Sequence, residues 1–202
     1  MFDVGKIKKS TIIEKPWECV LIENYLEVKE AIHLSKKIQS EFDWHEDNHP
    51  DMKGCVKISD DCENFEHFAS KDFCKELCTK LGYQLPEKYL VNQTNTWHIQ
   101  GASLPPHTDM HCLNNVNKDN NENYTMCVTY QLYLPDTSDF PHTGLWMHDL
   151  VNDADDWRPK TKQLPCLPGV FFAYANTDKS YHSVPKQEES FNRVSHMGRI
   201  YW

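Results

Sequence analysis

The chain has 202 residues, of which 39% are hydrophobic and 12% aromatic, and its formal net charge at pH 7 is −9. This is enough apolar material for one hydrophobic core, so we predict a single domain over 1–202, with 1–90 as an N-terminal support for 91–202. The acidic balance offers no basic surface for phosphates, which makes nucleic acid and anionic membranes poor partners. A small molecule or a peptide is the expected partner.

Compartment and redox state follow from what the sequence lacks. No apolar stretch resembles a secretory signal, and no run approaches the roughly 20 apolar residues that cross a bilayer, so we expect a soluble, cytoplasmic protein. The eight cysteines are scattered without a Cys-x-x-Cys pair, which favours reduced thiols. Cys74 and Cys78 lie one helical turn apart, a spacing that favours packing in the core over metal binding.

The first 90 residues read as a helical support. A strand is predicted at 18–22, followed by helices at 27–42 and 70–81. Ser70 is a suitable N-cap for the second helix, and Gly82 ends it. Apolar residues at spacings of three and four predict the buried side of each helix: Ala31, Leu34, Ile38 and Phe42 in the first, and Phe73, Leu77 and Leu81 in the second. The acidic stretch 60–66 is interpreted as a solvated surface.

After residue 90 the pattern is that of β-strands. The predicted strands cover 94–100, 124–134, 144–150, 169–174, 181–184 and 193–201, separated by proline and glycine turns. Strands in this number without intervening helices favour an antiparallel sandwich or barrel, with the two early helices on one outer face. The segment 114–123, with six asparagines in ten residues, is predicted to be a mobile loop.

A metal site is predicted at His107-Thr108-Asp109. On a strand, residues two apart point to the same face with α-carbons roughly 7 Å apart, so an imidazole and a carboxylate can converge on one ion. Non-haem iron(II) needs a third ligand that leaves the opposite coordination positions open. His182, which follows the apolar strand after Pro168 and Gly169, is the candidate.

The surroundings of this pair resemble the iron(II)- and 2-oxoglutarate-dependent oxygenase superfamily. The shared features are Gly101 and Leu104 before the pair, a Pro-Gly strand start, His182 followed by Val184, and Arg193-Val194-Ser195 after the distal histidine. The resemblance covers roughly 90–202. It implies a mainly β fold with flanking N-terminal helices, a double-stranded β-helix of the jelly-roll, cupin-like kind.

The same resemblance implies a reaction and its cofactors. Fe(II) would be held by His107, Asp109 and His182, with 2-oxoglutarate and O₂ as cosubstrates. Arg193 and Ser195 would hold the distal carboxylate of 2-oxoglutarate. Hydroxylation of an unactivated C–H bond would release succinate and CO₂, with no catalytic residue beyond the metal ligands. Relatives that halogenate lack the carboxylate ligand, so Asp109 favours hydroxylation, with desaturation and demethylation left open.

Two arginines of the last strand compete for the cosubstrate. Arg193 and Arg199 share one strand face, and a guanidinium forks onto a carboxylate through two charge-assisted hydrogen bonds. Six residues of strand separate their α-carbons by roughly 20 Å, so one small dicarboxylate can be held by only one of them. Spacing from His182 selects Arg193, and Arg199 is expected toward the far end of the barrel, in a structural ion pair or a substrate contact.

Further residues are candidates for the surroundings of the metal or the substrate pocket. His111 extends the period-two series and would suit a three-histidine cupin, but Asp109 already fills that role. His98 lies in the preceding strand, where the resemblance implies a side chain that touches the cosubstrate, since relatives commonly place a tyrosine or asparagine there. Tyr130 and Tyr133 point to opposite faces, so at most one of them reaches it. Trp146 and Trp157 line a substrate pocket or pack in the core.

Two other functions remain open from the sequence. One is a cupin-like metalloenzyme that does not use 2-oxoglutarate, such as a thiol dioxygenase or an isomerase, which would not need Arg193 or Ser195. The other is a non-catalytic β-sandwich binding module with structural histidines. The substrate, the oligomeric state and the source organism do not follow from the sequence.

Overall fold

The structure, a computed structural model, describes residues 2–47, 56–99, 101–139, 141–149, 160–187 and 192–202. Within them it has four α-helices: α1 Val4–Lys9, α2 Val28–Glu41, α3 Lys71–Lys80 and α4 Met110–Asn120. The strands are β1 Thr11–Ile13, β2 Cys19–Ile22, β3 His45–Glu46, β4 Val56–Ser59, β5 Leu90–His98, β6 Leu104–His107, β7 Cys127–Tyr133, β8 Trp146–His148, β9 Lys160–Gln163, β10 Phe171–Ala175, β11 His182–Val184 and β12 Arg193–Tyr201.

The strands form two antiparallel sheets. The larger sheet has the order β1-β2-β10-β7-β12-β5-β4-β3, and the smaller has the order β6-β11-β8-β9. Consecutive side chains of a strand point to opposite faces, so each central strand of the larger sheet contributes side chains to both faces of the sheet. Tyr130 and Phe171 pack in one core with side chains of α2 and α3, whereas Tyr133 and Phe172 pack in another with Met147 of the smaller sheet. The two helices therefore cover the outer face, and the space between the sheets is left for a site.

The predicted N-terminal helices are confirmed to within a residue or two. The Ser70 hydroxyl caps α3 by accepting from the backbone N–H of Phe73 at 3.3 Å. Ala31, Ile38, Phe73 and Leu77 are buried in the helix-facing core, as the apolar stripes predict. Cys74 and Cys78 are fully buried in the same core. All cysteines of the described residues are free.

The prediction of a mobile loop at 114–123 is wrong. Most of this segment belongs to helix α4, whose Leu113 and Val116 are buried three residues apart. Asn121 ends the helix in the left-handed conformation, with φ 51° and ψ 45°, which asparagine tolerates better than most residues. The Asn117 amide accepts from the Tyr124 N–H and donates to its carbonyl, at 2.7 and 2.8 Å. These asparagines thus end helix α4 and hold the following residues in place.

Three predicted strands have different bounds. β7 begins at Cys127 rather than residue 124, because the backbone N–H groups of Thr125 and Met126 both donate to the carbonyl of Trp202. β5 begins at Leu90 and pairs with β12 over its whole length. β8 covers only 146–148 of the predicted 144–150. Residues 100 and 150, predicted to lie in strands, and Trp157 fall outside the described residues.

No helix among the described residues is both long enough and apolar enough to cross a membrane.

Candidate metal centre

Three side chains converge between the sheets at the end of β6. His107 ends that strand and lies directly opposite His182 of β11 in the antiparallel register. The Nε2 atoms of His107 and His182 lie 3.6 and 3.7 Å from Oδ1 of Asp109. Each of the three residues offers one ligand atom, and these atoms all lie within 4.8 Å of one another. Two imidazoles and one carboxylate are thus grouped as a single ion requires.

The route by which Asp109 reaches the site differs from the prediction. β6 ends at His107, and Asp109 occupies the N-cap position of α4, with φ −81° and ψ 13°. The prediction that His107, Asp109 and His111 share one strand face is therefore wrong. His111 lies in the first turn of α4, exposed to solvent, with its Nδ1 3.2 Å from the Thr108 carbonyl. It is not part of the group of converging ligand atoms.

Backbone carbonyls orient both imidazoles. Nδ1 of His107 lies 2.8 Å from the Pro105 carbonyl, and Nδ1 of His182 lies 2.9 Å from the Ser180 carbonyl. A carbonyl accepts only, so each Nδ1 carries the hydrogen and each Nε2 has a free lone pair facing Asp109. Burial lowers the pKa of His182 to about 4, so that ring is neutral near pH 7.

The two oxygens of Asp109 have different surroundings. Oδ1 faces the imidazoles, while Oδ2 faces the hydroxyls of Thr129 and Tyr174, at 3.1 and 3.2 Å, and Nη2 of Arg199 at 3.4 Å. These three donors form one row across the larger sheet, because Thr129 is paired with Tyr174 on one side and with Arg199 on the other. Three donors on Oδ2 leave Oδ1 as the oxygen available to an ion.

Electrostatics keeps this carboxylate charged. Burial by itself raises the pKa of Asp109, but the charge of Arg199 holds it well below its usual range. Burial, reinforced by the Asp109 charge, raises the pKa of Tyr174 well above 10, so its hydroxyl is protonated and can donate. That hydroxyl also lies 3.2 Å from Nε2 of His182. Nothing in the sequence pattern singled out Tyr174 or Thr129.

A buried arginine lies in the same cavity. This cavity, about 90 Å³ in volume, is lined by the three candidate ligands and, among others, by Arg193 and His98. Arg193 is 1% exposed, and its Nη2 donates to the Tyr133 hydroxyl at 3.2 Å. Its Nε and Nη1 have no oxygen or nitrogen partner among the described residues, and the Cys166 thiol, a weak acceptor, contacts the guanidinium. Buried donors normally find acceptors, so these two groups indicate a missing anionic or polar partner.

His98 lies opposite Arg193 in the pairing of β5 with β12. It is 4% exposed, and its Nδ1 likewise has no partner in the described part of the chain. Burial and the Arg193 charge hold the pKa of His98 well below 6.5, so the ring is neutral. Arg193 and His98 therefore bring unpaired hydrogen-bonding groups to the same end of the cavity.

Ser195 does not line this cavity itself but contacts two residues that do. It is fully buried; its hydroxyl oxygen accepts from the Gln131 amide at 2.6 Å and lies 2.7 Å from the Thr96 hydroxyl oxygen. Gln131 and Thr96 were not identified from the sequence. The signal available was alternation along β7, whose residues 129, 131 and 133 share the inner face.

The remaining candidates divide between the site and its surroundings. Tyr133 lies beside Arg193, whereas Tyr130 points to the opposite side of the sheet and donates to the Phe68 carbonyl at 3.3 Å. Arg199 is in an ion pair, but its partner is the candidate ligand Asp109 and it lines the same cavity as the ligands, so the expected position toward the far end of the barrel is wrong. Trp146 is half-buried on the smaller sheet beneath the Lys160 ammonium, 5.3 Å from the ring centroid, and is not among the residues lining the cavity.

No protein-family model matches the sequence, and no curated protein matches it. Solved structures do match. A prolyl-4-hydroxylase from Pseudomonas putida superposes with a TM-score of 0.60 at 14% identity, covering 98% of this chain and 96% of that one. The chain has the fold of the iron(II)- and 2-oxoglutarate-dependent oxygenases. The predicted double-stranded β-helix is thereby confirmed.

Other structures with this oxygenase fold are similar to the same extent. A prolyl hydroxylase from Trichoplax adhaerens, in complex with a hypoxia-inducible-factor peptide fragment, has a TM-score of 0.55 at 16% identity, covering 98% of this chain and 86% of that one. HygX from Streptomyces hygroscopicus, with nickel, 2-oxoglutarate and hygromycin B bound, has a TM-score of 0.59 at 10% identity, covering 91% and 82%. The oxygenase fold thus accompanies both peptide and small-molecule ligands in these structures.

Proposed function

We propose that this protein is an iron(II)- and 2-oxoglutarate-dependent dioxygenase that hydroxylates an unactivated C–H bond of a small molecule or a peptide side chain. One observation carries the proposal. A buried arginine with two unpaired donors lies in the same cavity as a His-Asp-His group whose ligand atoms converge. The first feature fits a carboxylate, and the second fits a divalent transition metal.

The donor set favours Fe(II) over a structural metal. Two imidazole nitrogens and one carboxylate oxygen are the ligands of the facial triad of non-haem iron enzymes, which leaves the opposite coordination positions open. His107, His182 and Oδ1 of Asp109 would hold the ion. A structural zinc site is closed by four protein ligands, commonly including cysteine, and no cysteine belongs to this group among the described residues.

The cosubstrate fits the other end of the cavity. Nε and Nη1 of Arg193 are unpaired and buried, which suits one carboxylate of 2-oxoglutarate. The neutral His98 beside it can add a hydrogen bond. Ser195 is already engaged with Gln131 and Thr96, which line the cavity, so we assign it to a supporting position behind the cosubstrate site, where it can donate only after this network rearranges.

The overall reaction takes one molecule each of 2-oxoglutarate, O₂ and substrate R–H, and gives succinate, CO₂ and R–OH. The bound metal would supply the site of O₂ activation. Residues of the chain bind and orient the reactants: Arg193 anchors the cosubstrate, and carbonyl contacts aim His107 and His182. Thr129, Tyr174 and Arg199 hold the carboxylate ligand. Burial of most of these groups excludes bulk water, which strengthens each electrostatic contact.

Two sequence-level alternatives find less support in this geometry. A cupin-like metalloenzyme that does not use 2-oxoglutarate has no need for an uncompensated arginine beside the ligands. A non-catalytic β-sandwich would not need converging ligand atoms. Among them is the buried carboxylate of Asp109, which requires the charge of Arg199 to offset its burial. Both would leave the unpaired donors of Arg193 without an explanation.

Four single variants test the assignment of the ligands. His107→Ala, Asp109→Ala and His182→Ala should each weaken Fe(II) or Co(II) binding by at least tenfold and stop succinate release from 2-oxoglutarate. His111→Ala is the matched control, because His111 is an exposed histidine close in sequence that lies outside the group. It should retain wild-type metal affinity. Loss of metal binding in His111→Ala, with Asp109→Ala unaffected, would overturn the assignment.

A further inference from the structure

A second, larger cavity adjoins the metal centre. Its volume is about 410 Å³, within the range of small-molecule sites, whereas the cavity of the triad is about 90 Å³. Met197 and Arg199 line both cavities, so the two cavities are neighbours. The larger cavity is therefore the place where a substrate can lie next to the metal while the cosubstrate occupies the smaller one.

The order of residues along β12 relates the larger cavity to the cosubstrate end and the metal end of the site. Arg193, Met197 and Arg199 follow one another along the same strand face. Arg193 marks the proposed cosubstrate end, and Arg199 reaches the carboxylate ligand Asp109 at 3.4 Å. Thr94 and Asn92 lie opposite Met197 and Arg199 on β5 and line the larger cavity. A molecule bound there lies at the metal end of the strand, away from the cosubstrate anchor.

The charges at this cavity favour a cation. The Arg199 guanidinium also lines the cavity. Its charge is compensated by Asp109, which Nη2 contacts, while its Nε is a buried donor without a partner among the described residues. Asp60 also lines the cavity, is exposed, and has no ion-pair partner among the described residues. Its acidic neighbours reinforce it: besides burial, Asp60, Asp61 and Glu66 raise the pKa of the nearby Cys62 to about 11.

The lysine of the adjoining strand β4 does not offset this charge. Lys57 of β4 stacks on the ring of Trp97, 5.2 Å from its centroid, and both lie on the face of the sheet opposite to Arg193. Besides Arg199, whose charge is paired with Asp109, the lining of the cavity presents a carboxylate, amide and hydroxyl groups, and the Met197 side chain. These groups suit a small polar molecule with a protonated amine or guanidine and a short hydrocarbon part.

We propose that this cavity is the substrate subsite and that it takes a small cationic molecule whose ammonium or guanidinium group lies against Asp60. The inference rests on the proposed oxygenase function for the reaction that follows binding. It adds the chemical class of the substrate: an aliphatic amine or guanidine in which a C–H bond near the middle of the chain is hydroxylated.

Binding of matched probes tests the proposal without turnover. Agmatine, 1,4-diaminobutane, 1,4-butanediol and butyrate are titrated by calorimetry into the wild-type protein, first alone and then with Co(II) and 2-oxoglutarate. The two cations should bind, and the diol and the carboxylate should bind at least tenfold more weakly. Asp60→Asn should weaken agmatine binding about three- to fivefold, the upper part of the range expected for one exposed ion pair.

Asp61→Asn is the control for long-range charge. It removes the same charge one residue away, and Asp61, whose Oδ1 accepts from the Glu63 N–H at 3.1 Å, does not line the cavity. It should leave agmatine affinity within twofold. Equal losses in both variants, or tighter binding of butyrate than of agmatine, would overturn the proposal.

The calorimetric arm without metal separates this proposal from the proposed function. If agmatine binds with the expected Asp60 dependence but 2-oxoglutarate does not bind in the presence of Co(II), the subsite stands and the oxygenase function fails. If 2-oxoglutarate binds and none of the cationic probes does, the function stands and the subsite fails. Binding of a lysine-containing peptide with no binding of the free amines would also contradict a small-molecule subsite.

Discussion

Replacing Arg193 with leucine should remove tight binding of 2-oxoglutarate while leaving the metal site intact. The side chain is 1% exposed, and two of its donors have no partner among the described residues. A hydrogen bond to a charged group contributes about 1.5 to 3 kcal/mol, so two of them correspond to at least about 3 kcal/mol. The dissociation constant for 2-oxoglutarate should therefore rise about a hundredfold or more.

The same variant should not destabilise the protein without cosubstrate. A buried cation with unpaired donors is costly, and an apolar side chain of similar reach removes that cost. We expect the free energy of unfolding of Arg193→Leu to be unchanged or higher by about 1 kcal/mol, which urea unfolding measures. This result would distinguish a ligand anchor from a structural ion pair, because loss of a structural ion pair would lower the free energy of unfolding.

The assay is a titration of 2-oxoglutarate into protein saturated with Co(II) or anaerobic Fe(II). Tyr133→Phe is the matched control, because it removes the hydroxyl that accepts from Nη2 of Arg193 and from the Leu145 N–H but leaves the guanidinium in place, so it should cost no more than a few fold in affinity. Metal affinity should stay near the wild-type value in both variants. If Arg193→Leu binds 2-oxoglutarate within threefold of wild type, the reasoning about unpaired donors is refuted.

Three further predictions concern the ligand network and the core. Tyr174→Phe removes one of the donors to Oδ2 of Asp109, so Co(II) affinity should fall about tenfold in a competition titration. Burial lowers the pKa of His196 to about 3, below its unfolded value near 6.5, so the unfolded state takes up the proton first as the pH falls. Stability should decrease from pH 6.5 toward pH 3 by up to about 1.4 kcal/mol per unit from this group, and urea unfolding of His196→Gln should lack that part of the slope. Gly198→Ala should lower the free energy of unfolding by about 1 to 3 kcal/mol in the same assay, because the added methyl group meets the buried ring of Tyr130.

Each of these has an outcome that would contradict it. Tighter Co(II) binding in Tyr174→Phe would mean that the hydroxyl, 3.2 Å from Nε2 of His182, acts chiefly as a competitor of the metal. An unchanged pH slope in His196→Gln would mean that the imidazole becomes protonated in the folded state. Wild-type stability of Gly198→Ala would show that the Tyr130 ring has room to shift.

The sequence predicted those features of the site that depend on spacing along one strand. Period-two alternation placed Arg193 and Ser195 of β12 on one inner face, and it separated Tyr130 from Tyr133. The apolar stripes predicted the helices that cover the outer face. These features are local, and the burial of one face specifies them.

The features that depend on contacts between strands were not accessible. Thr129, Tyr174 and Arg199 meet on Asp109 because their strands pair in a particular register, which alternation alone does not specify. Asp109 itself was assigned to a strand, since His-x-Asp has the same spacing whether the chain continues as a strand or begins a helix. The asparagine-rich part of α4 was read as a loop because its buried residues, Leu113 and Val116, are few.

Adding 2-oxoglutarate to the Fe(II)-loaded protein in the absence of oxygen should produce a visible charge-transfer band. The band requires a metal held by three protein ligands with adjacent positions free for the keto acid end of the cosubstrate. It should saturate with 2-oxoglutarate and be absent from His182→Ala and Asp109→Ala. Protein that binds Fe(II) through these ligands and yet shows no band and no binding of 2-oxoglutarate would contradict the proposed function.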